Sequence, residues 1–207
     1  GPAIQAAGER ALKSKTTMPG ILDTIRHFRH DDDKTPIILM GYINPILRYG
    51  PEKFAKDAST AGADGLILVD LPHEEQQGLD EIFAKNKLDL IQLISPATTG
   101  KRLATLAKAA RGFIYYVSIA GITGTASASA ESIKAAVAEI RKSSKLPVAA
   151  GFGIRDASQV KELNGIADGI VVGSALVNEV ARLSPGPIPT HAPVFQRCKS
   201  LSDALRG

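Results

Sequence analysis

The chain has little of what specialised scaffolds need. A single cysteine, Cys198, leaves no internal disulfide framework and no cysteine-based zinc site. The four histidines are scattered without metal-ligand spacing. Tryptophan is absent and aromatics are 5% of the chain, and no run of Lys or Arg interleaves with them, so nucleic acid is not an expected partner. No apolar run approaches the roughly 18 residues of a membrane span, and the start lacks the basic-then-apolar order of a signal peptide. The low cysteine use suits a reduced, cytoplasmic setting. Net charge is +4, from 25 basic and 21 acidic residues, a mild field that suits an anionic ligand without requiring one. Residue 1 is Gly rather than Met, which fits a processed start, a removed tag or a fragment alike.

What is present is a beat of short apolar runs and amphipathic stretches. The runs are Pro36 to Tyr42, Gly65 to Asp70, Leu88 to Ser95, Gly112 to Ser118, Pro147 to Gly153 and Gly169 to Ser174. They are apolar almost throughout rather than alternating, as strands buried on both faces are, and this predicts a parallel sheet. Helical stripes lie between them: Phe54, Ala55, Ala58 and Ala61; Leu103, Leu106, Ala107 and Ala110; Ile133, Val137 and Ile140. Asp156 with Gln159 predicts a capped helix start, and Leu71 to Glu75 carries the Pro and acids of another. Asp31-Asp32-Asp33-Lys34 lacks the alternating ligands and Gly turn of a calcium loop and reads as a solvated turn. Residues 184–193, with Pro185, Pro187, Pro189 and Pro193, predict a loop before a last helix around Val194 to Leu205. No internal repeat beyond the strand–helix beat is visible.

Repeated strand and helix give an α/β fold, either an open sheet or a closed barrel. Polar residues and glycines gather at the C-terminal ends of the runs: Asp70, Ser95, Ser118, Gly151 with Gly153, and Gly173 with Ser174. That is where barrels carry their chemistry, and the G-x-G-x-x-G of a dinucleotide fold is missing. Three glycine sites follow one another: Ala120 to Gly124, Gly151 to Gly153, and Gly173-Ser174-Ala175 at a helix start. One such site is usually a turn; three in order favour a phosphate, held by backbone N–H groups and a helix dipole. If Gly153 and Gly173 follow the last two strands of a (β/α)8 TIM barrel, counting backwards makes Pro36 to Tyr42 the third strand. The expectation is then a single partial barrel domain over 1–207, with strands 1 and 2 missing.

Several ordered motifs carry a family likeness: Gly1-Pro2-Ala3-Ile4-Gln5-Ala6-Ala7, Leu39-Met40-Gly41-Tyr42-Ile43-Asn44-Pro45, Val69-Asp70-Leu71-Pro72-His73-Glu74-Glu75, Ser118-Ile119-Ala120-Gly121-Ile122-Thr123-Gly124, Gly151-Phe152-Gly153-Ile154 and Gly173-Ser174-Ala175. In these the chain resembles the tryptophan synthase alpha subunit family, from Gly1 to about Val180. The resemblance implies aldol cleavage of indole-3-glycerol phosphate to indole and glyceraldehyde 3-phosphate, with no cofactor of its own. It implies a beta-subunit partner, in an α2β2 complex, that receives the indole and faces the loops at Met40 to Pro45 and Asp70 to Pro72. By the same resemblance Gly124, Gly151, Gly153, Gly173 and Ser174 hold the glycerol phosphate. Tyr115 and Phe152 line the indole-glycerol pocket, Ile4 and Leu39 form its apolar wall, and Thr123 sits in a lid loop. Ile119 departs from the polar residue many members carry there. The family's catalytic Glu and Asp precede the Gly-Pro motif, so no catalytic residue falls within this chain and it is expected to be inactive by itself. Two other readings stay open: a non-catalytic barrel that only docks on a beta subunit, and another sugar-phosphate barrel enzyme.

Overall fold

In the computed structural model the described residues are 1–118, 129–151, 153–183 and 192–206. Among them, seven strands form one curved parallel system: β1 (Ile38–Gly41), β2 (Gly65–Leu68), β3 (Asp89–Leu90), β4 (Gln92–Ile94), β5 (Ile114–Val117), β6 (Val148–Gly151) and β7 (Gly169–Val171). β1 pairs β2 and β2 pairs β3, while β4, β5, β6 and β7 pair in sequence, all in parallel. Only Ile91 separates β3 from β4, and its N–H donates to the Leu66 carbonyl at 2.8 Å. Asp89 to Ile94 is therefore one strand whose first half pairs β2 and whose second half pairs β5. The six apolar runs of the sequence correspond to these strands.

Helices fill every crossover, as parallel neighbours require. They are α1 (Pro2–Lys13) and α2 (Met18–Asp31) before β1, then α3 (Ile43–Tyr49) and α4 (Pro51–Ala61), α5 (Leu79–Lys85), α6 (Gly100–Ala109), α7 (Ala130–Arg141), α8 (Ala157–Glu162), α9 (Ser174–Arg182) and α10 (Ala192–Arg206). α1 packs beside α9, so the helices ahead of the first strand and after the last are brought round to each other. The amphipathic stripes land where their spacing puts them: Phe54, Ala55, Ala58 and Ala61 are buried, as are Leu103, Leu106, Ala107, Ile133, Val137 and Ile140. Ala110, expected to end its stripe, caps α6 and packs on the core from its edge.

The strands have two faces, both apolar. Toward the helices point Leu39, Leu66, Leu68, Leu90, Ile94, Ile114, Tyr116, Val148 and Ala150, in two clusters with the helix stripes. Toward the interior point Ile38, Ile67, Ile91, Leu93, Phe113, Tyr115, Val117 and Val171. Strict alternation between these sets follows from the two-residue period of a strand. Tyr115 and Tyr116, adjacent in sequence, accordingly face opposite layers.

Two aspartates fix the register at the N-terminal end of the sheet. The N–H of Asp64 donates to the Ile37 carbonyl at 2.9 Å and its carboxylate accepts from the Ile37 N–H at 2.7 Å. Asp168 repeats the arrangement on Val148, with distances of 2.9 and 2.8 Å. Each carboxylate also meets an arginine from the helix of the preceding unit, Arg29 on α2 at 2.7 Å and Arg141 on α7 at 3.0 Å. The residue after each aspartate, Gly65 or Gly169, opens the strand.

Local expectations fared unevenly. Thr17, Ser129 and Asp156 each cap a helix through a side-chain oxygen. Gln159 accepts from the Arg155 N–H at 2.7 Å, one residue earlier than a standard capping box. Asp32 closes the acidic turn by accepting from Lys34, from the Thr35 N–H and from the Thr35 hydroxyl. Leu71 to Glu75 does not start an α-helix: His73–Glu75 is a single 3-10 turn, and α5 begins only at Leu79 after the turn at Gly78. Most of the proline-rich segment 184–193 lies outside the described residues, and the last helix begins at Ala192.

The Val148 N–H, with the Arg141 guanidinium, holds the Asp168 carboxyl below its ordinary value of 3.8 against a smaller opposing effect of burial. A lowered folded-state pKa stabilises above the unfolded value, and the gain is lost as pH falls through the folded one. Asp168→Asn is therefore expected to lower stability at pH 7 by about 1 kcal/mol, a value discounted for the half-exposed side chain. Urea unfolding of both proteins should show the gap closing as the pH drops below about 4. A gap that persists unchanged at pH 2 to 3 would contradict this account.

Candidate functional site

The register carries β6 and β7 off the C-terminal edge side by side, with Gly151 opposite Val171. Two residues further on lie Gly153 and Gly173. Gly153 has φ +59°, a left-handed backbone that side chains resist, and it turns the chain away from the strand toward Ile154 and α8. Gly173 is the N-cap of α9, and among the described residues no side-chain cap hydrogen bond is made there. The positive pole of α9 and the Ser174 hydroxyl thus follow β7 directly, on the strand that neighbours β6. Backbone N–H groups at an uncapped helix start, next to a glycine turn, suit an anion.

Gly151 has a second role. A Cβ built on it would stand 2.4 Å from the Tyr115 Oη and 2.7 Å from its Cε2. The Tyr115 ring therefore lies over Gly151, in the gap left by the missing side chain, and reaches the strand end where Gly153 follows. Burial pushes the Tyr115 phenol above its usual pKa of 10.0, so it stays a neutral donor at the interior face.

The expected site residues thus divide. Gly151, Gly153, Gly173 and Ser174 lie at or just past the C-terminal ends of the paired strands β6 and β7, and the Tyr115 ring, from β5, reaches Gly151. Ile4 and Leu39 do not join them. Ile4 lies on α1 with 48% of its surface exposed. Leu39 points to the helix layer and lines an apolar cavity of about 400 Å³ with Leu12, Met18, Phe54 and Leu68. Ile38, one residue earlier, is the β1 side chain in the interior cluster with Tyr115. Thr123, Gly124 and Phe152, expected to bind substrate, lie outside the described residues, as does Ile119.

The two stretches expected to face a partner are joined. The Asp70 carboxylate, at the end of β2, accepts from the Ile43 N–H at 2.9 Å. It therefore caps α3, across the sheet, rather than the helix that follows it. The Met40 to Pro45 stretch is only partly a loop, because α3 begins at Ile43. Around this junction Met40, Tyr42, Leu47 and Val69 are exposed, Tyr42 at 64% and Met40 at 61%. A buried polar pair, unmarked by any sequence pattern, is made where Gln92 on β4 donates to Gln76 at 2.8 Å.

Fold and placement define the class: a (β/α) barrel protein whose distinctive residues gather at the C-terminal ends of its strands. The family model described as "Tryptophan synthase alpha chain" matches residues 1–206. A tryptophan synthase alpha chain of Caulobacter sp. (strain K31) is 51% identical over 206 residues, covering 100% of this chain and 75% of the relative. That of Alkalilimnicola ehrlichii is 45% identical over 207 residues, covering 100% of this chain and 76% of the relative. The crystal structure of the Legionella pneumophila alpha chain superposes with a TM-score of 0.88 at 37% identity, covering 100% of this chain and 76% of that one. A Mycobacterium tuberculosis tryptophan synthase structure gives 0.88 at 32% identity, with the same coverage. The chain belongs to the tryptophan synthase alpha chain family, and so to the lyases of tryptophan biosynthesis. No helix among the described residues is long and apolar enough to cross a membrane.

Gly151→Ala is expected to cost about 1–3 kcal/mol, as overpacking in a filled core does. Combining it with Tyr115→Ala in a double-mutant cycle should recover much of that loss. Additive effects of the two changes in thermal or urea unfolding would mean that the ring does not occupy the glycine's gap.

Proposed function

We propose that this chain supplies the phosphate- and indole-binding part of a site for aldol cleavage of indole-3-glycerol phosphate. The observation that carries the reading is the pairing of Gly151 with Val171, which places Gly153 and the glycine start of α9, Gly173 and Ser174, each just past the C-terminal end of neighbouring strands. A phosphate there accepts backbone N–H bonds and the Ser174 hydroxyl while the α9 dipole offsets its charge. The glycerol chain then runs toward the interior face of the sheet, where the Tyr115 ring, held over Gly151, lies against the indole-glycerol portion. Binding energy gained at the remote phosphate positions the reacting bond.

Cleavage also needs an acid to protonate the indole ring carbon and a carboxylate to engage the indole nitrogen. Among the described residues the interior layer around Tyr115 is apolar, and Asp70, the carboxylate at the end of β2, is engaged with Ile43. By family resemblance the acid pair precedes the Gly-Pro motif, so these 207 residues by themselves bind without cleaving. The exposed Met40, Tyr42, Leu47 and Val69 around the Asp70–Ile43 junction support a beta-subunit docking face at this end.

The test is calorimetric titration of this chain with glycerol 3-phosphate, beside Ser174→Asp. An aspartate at the first position of α9 favours the helix and repels a phosphate, so stability should hold while affinity falls by about tenfold or more. Equal affinity of the two proteins would place the phosphate elsewhere. With indole-3-glycerol phosphate the chain alone should release no indole above buffer, and measurable release would show that these residues contain an acid pair after all.

A further inference from the structure

The two halves of the proposed phosphate site sit on separate elements, the turn after β6 and the start of α9, and nothing in the strand ladder fixes the gap between them beyond Gly151 and Val171. A single side chain on α10 contacts the segment after the turn and the body of α9. Arg197, on α10, donates through Nη2 to the carbonyl of Arg155, two residues past Gly153. Its Nη1 forms an ion pair at 3.6 Å with Glu179 on α9. Glu179 is itself mostly buried and is held by Arg182 at 3.0 Å. The Arg155 N–H is in turn tied to Gln159, and Asp156 caps α8, so the segment that Arg197 grips is hydrogen-bonded into α8 on its far side.

The Arg197 Nε is buried and has no hydrogen-bond partner among the described residues. An unpaired buried donor costs stability, so packing alone is a poor reason for an arginine here. A planar guanidinium with two separated donor ends is suited to spanning a carbonyl on one element and a carboxylate on another, which a lysine ammonium is not.

The geometry points to Arg197 as a positioning residue that sets the spacing between the post-β6 turn and α9, and through it the shape of the phosphate site. The inference rests on the phosphate reading above. Arg197 touches no ligand itself: it acts through the Arg155 carbonyl and through Glu179. Loss of the clamp frees each half of the site separately, leaving the sheet below intact.

The experiment compares the chain with Arg197→Met and Arg197→Lys by amide hydrogen exchange and by calorimetric titration with glycerol 3-phosphate. Arg197→Met should speed exchange in residues 153–158 and 174–178 with the strands unchanged, and weaken glycerol 3-phosphate by about tenfold. Arg197→Lys keeps the charge near Glu179 but cannot span both partners, so it should fall between the two. Exchange that rises uniformly through the strands, or only within α10, overturns the positioning role, and so does unchanged affinity in Arg197→Met. If the unmodified chain shows no affinity for glycerol 3-phosphate, the phosphate reading fails and the exchange comparison alone decides the clamp. Glu179→Gln gives an independent check: it should reproduce faster exchange at 174–178.

Discussion

The arrangement depends on how the bottom of a parallel sheet is locked. A parallel strand entering the sheet has backbone groups that its neighbour does not yet satisfy, and a slip of one residue would exchange its two faces. Asp64 and Asp168 remove that freedom by grasping both the N–H and the C=O of one residue on the neighbouring strand. Arg29 and Arg141 then fix each carboxylate to a helix. Everything at the other end follows from this register. It puts Gly151, rather than Ala150, on the interior face beneath Tyr115, and it sends Gly153 and Gly173 off the sheet together.

Much of this was legible because burial on both faces leaves a strong mark on sequence. The six apolar runs and the stripes of α4, α6 and α7 needed only periodicity to find. The same uniformity hid the parity of each strand. In Ile38-Leu39-Met40 every residue is apolar, so nothing local says that Ile38 faces the interior and Leu39 the helices, and the family-based choice of Leu39 fell in the helix-side layer. The resemblance implies a loop at Met40 to Pro45, whereas α3 begins at Ile43, where a carboxylate 27 residues away supplies the cap. The tie to Asp70 is tertiary and leaves no sequence pattern.

One regularity was present in the sequence and passed unread. Ala63-Asp64-Gly65 and Ala167-Asp168-Gly169 are the same tripeptide doing the same work at two strand entries. Three residues are too few to stand out without knowing that each lies between a helix and a strand. Their structural equivalence depends on partners far along the chain: Arg29 lies 35 residues before its aspartate and Arg141 lies 27 before. A repeat of roles can thus be plain in space and almost silent in sequence.

Helix starts differ in what satisfies their first N–H groups. α2, α7 and α8 spend a Thr, Ser or Asp side chain on them, whereas α4, α5 and α9 begin at a glycine, Gly50, Gly78 and Gly173, which supplies no side-chain cap. Stability alone favours a Thr, Ser or Asp cap over a glycine by only about a few tenths of a kcal/mol. The α9 start differs from the other two in following a strand directly, two residues past the Val171 that pairs Gly151. The polar alternative is also in hand, since Asp156 closes the neighbouring α8. An anion at the α9 start would offset the small cost of leaving its first N–H groups without a side-chain cap, and this is the physical basis of the proposed phosphate site.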